Sequence, residues 1–292
     1  MPQLAALDND KVPSQPSFFH LDEDLEANNS QGNLLQDLSQ QSNEANKTQY
    51  YVRRVSEKER AAEEALKEQV RAIYYGRDSH VWSEQINKKN FVQHSTQPAG
   101  LETIMLKART TLKCNMYHMR QVCCNVNIRR QWETILYDLS TMDQTSDGNY
   151  MKSYYCYRCP RVGFLGIQDR DFLQTQSCLH DFPEKGCMTA LMKSCTDDRI
   201  PPAKDKTRAT VHIMAIVCKP ETDAEGKDIT QAMLVVNTDI NGLVPKWIVN
   251  AASRSAPMQW FNDCQKAVDS FAAGKFSVKP EDVTDWRNGA FQ

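Results

Sequence analysis

Residues 239–250 read DINGLVPKWIVN, and they separate two segments of opposite character. The run before them, residues 231–240, is rich in apolar and β-branched residues, as is typical of a strand. Gly242 and Pro245 follow the end of this strand-like run. Glycine permits tight turns, and proline is tolerated at the start of a helix. The stretch therefore predicts a turn from a strand into a helix.

The segment after this turn has the apolar spacing of one long amphipathic helix, which we expect to run from Val244 to Phe271. Pro257 lies inside it, and we expect a kink there because proline removes one helical hydrogen bond. A long helix that follows a run of strands needs apolar surface to pack on. The concave face of a curved sheet would supply that surface.

The rest of the chain predicts an α+β fold in which a helix precedes the strands. A capping box at Ser56–Glu59 and apolar residues at helical spacing predict a helix that ends near Gly76. Residues 90–96 and 101–113 resemble strands, and residues 116–133 resemble one or two helices. Six further runs have strand character: residues 134–139, 151–159, 169–179, 187–195, 208–218 and 231–240.

Composition excludes several classes of protein. The chain has 292 residues, of which 40% are hydrophobic, and a net charge of -2, so we expect no nucleic-acid partner. It has no apolar run long enough to cross a membrane and no signal-peptide pattern, which favours a cytoplasmic location. The ten cysteines are then expected to be reduced and buried. Cys156 and Cys159 form a CxxC motif, but no second pair follows at zinc-ligand spacing, so we expect no metal site there.

Residues 1–50 are rich in Gln, Asn and Ser, and we expect them to be a disordered tail. Residues 51–276 are the expected folded domain, and 277–292 a C-terminal tail. Within the first tail, Phe18 and Phe19 stand beside acidic residues in a stretch that resembles the FFAT-type motif, which tethers proteins to the endoplasmic reticulum. The alternative is a chance aromatic pair.

Five motifs in order resemble the START (StAR-related lipid-transfer) domain family. They are Arg129–Glu133 (RRQWE), Arg170–Phe172 (RDF), Ser194 followed by Pro201–Pro202, the strand from Arg208 to Pro220, and residues 239–250. The resemblance covers roughly residues 50–276. It implies the helix-grip fold, in which a curved antiparallel β-sheet wraps around the C-terminal α-helix and encloses a cavity of lipid size.

Strand alternation, considered independently, assembles one face that suits such a cavity. On that face we expect apolar, aromatic and scattered polar side chains: Tyr155, Tyr157, Phe172, Gln174, Gln176, Ala190, Met192, His212 and Met214. On the C-terminal helix, Ile248, Ala252 and Ser255 are expected to line the same space. An amphipathic ligand fits this mixture, while the alternative is that the polar groups are satisfied within an ordinary core.

Arg129 and Glu133 are the sharpest clue to a ligand. The phosphatidylcholine-carrying members of the family also have an Arg-x-x-Trp-acid pattern, and this resemblance implies that Arg129 grips a lipid phosphate while Glu133 orients it. A guanidinium matches phosphate oxygens, and a buried arginine needs a counter-charge. The alternative is a surface pair one helical turn apart.

The remaining headgroup positions also follow from the resemblance. Tyr155 and Phe172 correspond to two positions of the aromatic cage that holds choline, and His212 replaces a third aromatic. The sterol-carrying members have an acid–arginine pair where this chain has Tyr157 and Gln176. We therefore expect a phospholipid rather than a sterol or ceramide.

The resemblance predicts a protein that extracts one amphipathic lipid and carries it between membranes. A lipid sensor would need the same cavity and stays an alternative. A helix-grip enzyme is a further alternative, but the chain has no Gly-x-Ser-x-Gly elbow, no His-x-x-x-His pair and no phosphate-binding glycine loop. We expect neither catalysis nor a cofactor.

The stretch CPRVGFLGIQDRDF joins two predicted strands and has an apolar centre. In the family this connection is an Ω-type loop at the mouth of the cavity. Phe164 and Leu165 are then expected to enter the membrane interface transiently, while Arg161 contacts a lipid headgroup. The alternative is that Phe164 and Leu165 fold inward onto the C-terminal helix and plug the cavity. Gly242 and Pro245 are the expected hinge of the lid.

Overall fold

The computed structural model describes residues 51–52, 55–145, 149–159 and 167–277 of the chain. The expected tails, with Phe18 and Phe19, lie outside the described residues, apart from Ser277. Arg161, Phe164 and Leu165 also lie outside them.

The described residues form five helices and eleven strands in an α+β order. In chain order the elements are β1 (Tyr51–Val52), α1 (Glu57–Tyr74), β2 (Ser83–Lys88), β3 (Phe91–Thr96), β4 (Met105–Leu112), α2 (Met116–Cys124), α3 (Val126–Trp132), β5 (Leu136–Gln144), β6 (Tyr150–Tyr157), β7 (Arg170–His180), β8 (Met188–Ser194), β9 (Thr207–Arg208), β10 (Thr210–Thr222), β11 (Asp228–Asp239), α4 (Lys246–Ser253) and α5 (Ala256–Ala272).

The strands join in one curved sheet with the order β1-β5-β6-β7-β8-β10-β11-β4-β3-β2, and β9 pairs with β7. The long strands are all antiparallel to their neighbours. The pairing of β11 with β4 joins the late strands to the early ones. Strand β2 was not predicted, because its side chains are exposed apart from the half-buried Ile86 and leave no apolar alternation to recognise.

Helix α1 covers the outer face of the sheet. Its N-terminus has the predicted capping box, in which Ser56 and Glu59 satisfy each other's backbone N–H groups. Three side chains spaced along one side of the helix are buried: Leu66, Val70 and Ile73. They pack with outward-facing residues of β4, β10 and β11: Met105, Ile213, Ala215, Val217, Met233 and Val235.

Helix α5 packs on the opposite side of the sheet, which we call the inner face. Its apolar side is buried through Phe261, Cys264, Ala267 and Val268. These residues meet inward-facing strand residues and the two short helices in one core: Ala108, Leu112, Met119, Val122, Ile128, Cys218, Ala232 and Leu234. The expectation that the C-terminal helix packs inside the curved sheet is confirmed, and with it the helix-grip fold.

The C-terminal helix is broken rather than kinked, which corrects the prediction of one helix from Val244 to Phe271. The chain leaves helix α4 at Ser253 and begins α5 at Ala256, so Pro257 lies in the first turn of the second helix. A first-turn residue needs no intrahelical N–H bond, and proline is tolerated there without strain. The fully buried Gln93 supports the break, since its Nε2 donates to the Arg254 carbonyl at 2.7 Å.

Candidate functional site

The inner face of the sheet carries apolar surface that the helices do not fully cover. Along β10 the outward-facing Ile213, Ala215 and Val217 are buried under α1. The inward-facing Met214 and Ile216 alternate with them and are only half-buried, although they lie on the side that α5 covers. These two apolar side chains thus remain accessible on the side of the sheet that α5 covers.

A cluster of polar and aromatic side chains adjoins this surface, and we call it the Arg129 cluster: Arg129, Glu133, Tyr155, Tyr157 and Gln176. Arg129 on α3 donates from Nε to Glu133 Oε2 at 2.5 Å and from Nη2 to Tyr157 Oη at 3.0 Å. Its guanidinium carbon lies 5.6 Å from the centre of the Tyr155 ring. Tyr155 Oη in turn donates to Gln176 Oε1 at 2.8 Å. The cluster thus links α3 to strands β6 and β7.

The Arg129–Glu133 ion pair is largely buried. Their side chains are 17% and 10% exposed, so they are not a solvated surface pair. Burial alone would lower the pKa of Arg129, but Glu133 and the neighbouring tyrosines raise it well above its usual value. Burial raises the pKa of Tyr155 and of Tyr157. The cluster therefore presents a fixed cation beside neutral hydroxyl groups.

Short-range interactions set the position of α3 and thus of Arg129. Asn125 caps the helix by accepting from the backbone N–H of Ile128 at 3.3 Å, and the Ile128 side chain is fully buried. Trp132 donates from Nε1 to the carbonyl of Val122 on α2 at 3.0 Å. The tryptophan of the Arg-x-x-Trp motif thus ties α3 to α2, while the arginine faces the sheet.

Strand register brings further predicted residues next to the cluster. Phe172 lies opposite Tyr155 on the neighbouring strand, and its ring meets Tyr157 edge-on with 5.3 Å between ring centres. Gln174 lies opposite Ser153, and both are buried. Ser153 was not predicted as a site residue, although its alternation with Tyr155 would have placed it on the same face.

Not every predicted inner-face residue adjoins the Arg129 cluster. Gln176, Met192 and Met214 are register partners on three successive strands, so they form one row across the inner face. His212 lies at a β-bulge on β10, three strands from Tyr155, or about 14 Å at the usual strand spacing. The backbone of His212 is therefore two strands from that of Phe172 and three from that of Tyr155.

The three predicted residues of the C-terminal helix differ in exposure. Ile248 and Ala252 lie on α4 and are half-buried. Ser255 is exposed in the break between α4 and α5, where its Oγ donates to the Ala252 carbonyl at 3.1 Å. Its hydroxyl thus donates to the backbone of α4, the helix that precedes the break.

The turn before α4 is held by a buried arginine. Arg170 donates from Nε to the Ile240 carbonyl at 2.8 Å and from Nη2 to the Asn241 carbonyl at 3.1 Å. Gly242 has a φ of +79°, and a Cβ at this position would lie 3.3 Å from Arg170 Nη2. Both the backbone conformation and the close approach of the guanidinium thus favour glycine here.

Further polar contacts anchor α4 itself. Lys246 Nζ contacts both carboxylate oxygens of Asp239, at 2.5 and 2.6 Å. Asn250 accepts from the backbone N–H of Ile104 at 3.1 Å and donates to the Glu102 carbonyl at 3.2 Å. Residues 239–250 therefore fix the start of α4 through hydrogen bonds and an ion pair, and Val249 is the one buried side chain of that helix.

Two apolar side chains of this segment face solvent. Leu243 is fully exposed and Trp247, four residues later, is 72% exposed. Neither was predicted as a site residue, because the sequence pattern directed attention to the apolar loop at Phe164 and Leu165. The sequence nevertheless indicates an unusual surface here, since Leu243 and Trp247 place an apolar residue on each side of Pro245 and turns are usually polar.

We expect the close approach at Gly242 to have a measurable energetic effect. Replacing Gly242 with alanine should lower the free energy of unfolding by about 2 kcal/mol, from left-handed strain together with crowding of Arg170. Gly226 is a matched control, because its φ is +77° but a Cβ there would meet no atom within 4 Å. Urea denaturation should show a loss of about 1 kcal/mol for Gly226→Ala. Equal losses in the two variants would contradict the role of Arg170.

None of the helices in the described ranges is long and apolar enough to cross a membrane. Within the same ranges, no three His, Cys, Asp or Glu side chains are grouped so that they would hold a metal ion.

Comparisons with known proteins agree with this architecture. Two solved human structures share the fold: StAR-related lipid transfer protein 5 with a TM-score of 0.62 and 16% identity, and STARD10 with a TM-score of 0.57 and 17% identity. The first match covers 73% of this chain and 97% of that protein, and the second covers 78% and 85%. No curated protein matches the chain by sequence. The START domain family model matches residues 60–274, and the chain therefore belongs to the START domain family.

Proposed function

We propose that residues 51–276 bind one amphipathic lipid between the sheet and the C-terminal helices and carry it between membranes in the cytoplasm, without catalysis. The accessible apolar inner face of β10 carries this proposal, because Met214 and Ile216 are half-buried where a solid core would bury them. Family membership supports the general function of lipid binding and transfer.

The physical task of such a carrier is to keep acyl chains out of water. Each methylene group that leaves a membrane for water costs about 0.8 kcal/mol, so a lipid with two chains hardly desorbs unaided. An enclosed apolar surface lowers this barrier by replacing water around the chains. The half-buried Met214 and Ile216 would supply such a surface on the inner face.

We propose that the Arg129 cluster receives the headgroup and that the ligand is a phospholipid such as phosphatidylcholine. A guanidinium has five N–H donors, and the contacts with Glu133 and Tyr157 engage two of its nitrogens. The remaining donors suit phosphate oxygens. The rings of Tyr155 and Phe172 lie on neighbouring strands, where a choline group would find aromatic faces.

Replacing Arg129 with lysine tests the headgroup assignment. Lysine keeps the positive charge but loses the planar fork, so we expect phosphatidylcholine extraction from vesicles to weaken about tenfold, equivalent to about 1.4 kcal/mol. The matched control is Arg130→Lys, since Arg130 follows on the same helix and donates to the Leu139 carbonyl instead. Unchanged extraction by Arg129→Lys would refute the phosphate role. Failure of the unaltered protein to extract any lipid would refute transfer itself.

We further propose that the protein meets the membrane through the start of α4. Leu243 and Trp247 offer apolar surface to the interface, where tryptophan is favoured. Gly242 and Pro245 enclose Leu243 and Val244, and they would let the segment hinge away from the sheet. When the segment hinges away from the sheet, the ion pair between Asp239 and Lys246 would break.

A further inference from the structure

Three sulfur atoms meet where the C-terminal helix packs on α2. Cys123 Sγ lies 3.7 Å from Cys264 Sγ, although the two residues are 141 positions apart in sequence. Met119 Sδ lies 3.9 Å from the first sulfur and 3.8 Å from the second. Cys123 and Met119 belong to α2 and Cys264 to α5, so the sulfur contact bridges the two helices.

We propose that Cys123 and Cys264 are an oxidative modification site that reacts with hydrogen peroxide and closes to a disulfide between α2 and α5. A disulfide has a sulfur–sulfur distance near 2.05 Å, so the two atoms need to approach by about 1.7 Å. Rotation of either cysteine side chain about its Cα–Cβ bond moves the sulfur by a distance of this order. Cys123 is partly exposed while Cys264 is fully buried, which gives the pair an accessible and a protected member.

The reaction proceeds in two balanced steps. The Cys123 thiolate attacks one peroxide oxygen, the O–O bond breaks, and the leaving hydroxide becomes water with the thiol proton. Cys264 sulfur then attacks the sulfenic acid on Cys123, the S–O bond breaks, and hydroxide leaves as a second water with the Cys264 proton. Two thiols lose two electrons and hydrogen peroxide gains them.

The order of these steps follows from the surroundings of the two thiols. The hydrogen bond with Cys123 and burial raise the pKa of the Cys264 thiol, which stays protonated and slow to react with peroxide. Cys123 is the more accessible of the two. The sulfenic acid therefore forms at Cys123, and Cys264 resolves it.

A second cysteine pair nearby offers a matched control. Cys124, the neighbour of Cys123, forms a side-chain hydrogen bond with Cys178 on β7, and both residues are buried. The two adjacent cysteines of α2 thus have different partners, one on the C-terminal helix and one on the sheet. Only the first pair has a partly exposed member, so peroxide should distinguish the two pairs.

If the proposed function holds, this disulfide has a consequence for lipid exchange. It would tie α5 to α2 covalently, and the C-terminal helices would no longer separate from the rest of the domain. A lipid already bound would be retained, and an empty protein would not load. The modification itself does not depend on this consequence.

The experiment treats the full chain with hydrogen peroxide, alkylates free thiols, and maps cysteine peptides by mass spectrometry without reduction. We expect one linked peptide pair that joins Cys123 to Cys264 and is released by dithiothreitol. The pair should persist in Cys178→Ala and disappear in Cys123→Ala. Peroxide products confined to other cysteines, or a pair that stays fully alkylatable, would overturn the proposal.

A parallel assay measures phosphatidylcholine exchange between vesicles before oxidation, after oxidation and after reduction. We expect oxidation to slow exchange at least fivefold and dithiothreitol to restore it, with no slowing in Cys123→Ala. A linked peptide together with an unchanged exchange rate would support the modification site. It would refute the expectation that the disulfide restrains the C-terminal helices α4 and α5 during lipid exchange. A linked peptide in a protein that extracts no lipid even when reduced would support the site and refute the proposed function instead.

Discussion

Replacing Leu243 and Trp247 together with serine is expected to weaken binding to phosphatidylcholine vesicles about 100-fold. Both side chains are exposed in the free protein, so the substitution removes little packing and the thermal unfolding midpoint should not change. Burying a large apolar side chain contributes roughly 1.5–3 kcal/mol, so two such chains at an interface contribute at least about 3 kcal/mol, which corresponds to a little over 100-fold. Vesicle co-sedimentation over a range of lipid concentrations measures this change.

Exposed apolar residues elsewhere provide the control for this experiment. Val81 is 85% exposed and Tyr117 is 53% exposed, and neither belongs to the start of α4. The double replacement of these two residues with serine should leave vesicle binding unchanged. Equal losses in both double variants would show that binding depends on general surface hydrophobicity, and the proposal that α4 meets the membrane would be wrong.

Replacing Arg208 with methionine is expected to lower the free energy of unfolding by about 3 kcal/mol. Asp171 is completely buried, and Arg208 donates to its Oδ2 from Nε at 3.0 Å and from Nη2 at 2.8 Å. Removing the arginine leaves a buried carboxylate without its counter-charge, a change that costs roughly 3–5 kcal/mol in proteins. The Arg208 side chain is one-fifth exposed, which places the expected loss at the lower end.

Urea denaturation can separate this effect from a general loss of positive charge. It compares Arg208→Met, alone and combined with Asp171→Leu, with the control variant Lys206→Met. Lys206 pairs with Asp205, whose side chain is 76% exposed, and Lys206→Met should change the unfolding free energy by less than about 1 kcal/mol. Adding Asp171→Leu to Arg208→Met should recover part of the loss, because the uncompensated charge disappears. A loss for Arg208→Met as small as that for Lys206→Met would contradict the assignment.

Local sequence signals predicted most of the elements of the fold. The capping box at Ser56 and Glu59 marked the start of α1, because it depends only on residues within one helical turn. Alternation along β10 separated Met214 from Ala215, which lie on opposite faces of the sheet. The exposed β2 and the break at Arg254 were missed, because neither leaves a periodic apolar pattern.

The candidate site was predictable only in part, for a related reason. Period-two alternation indicates which side chains share a face, but it does not specify how far apart they lie across the sheet. Tyr155 and Phe172 are direct neighbours, whereas His212 lies three strands away. Only the order of the strands in the sheet shows which residues of one face are neighbours and which lie several strands apart.

By itself, the sequence determined most of the helices and strands, the faces of the long strands, and family membership through motifs such as Arg129–Glu133. The tertiary structure alone decided that Arg129 meets Tyr157, that Cys123 meets Cys264, and that Trp247 remains exposed. The physical reason is the range of the interactions. Propensity, capping and alternation act within a few residues, while contacts across 28 or 141 positions depend on how the sheet curves and where the helices pack on it.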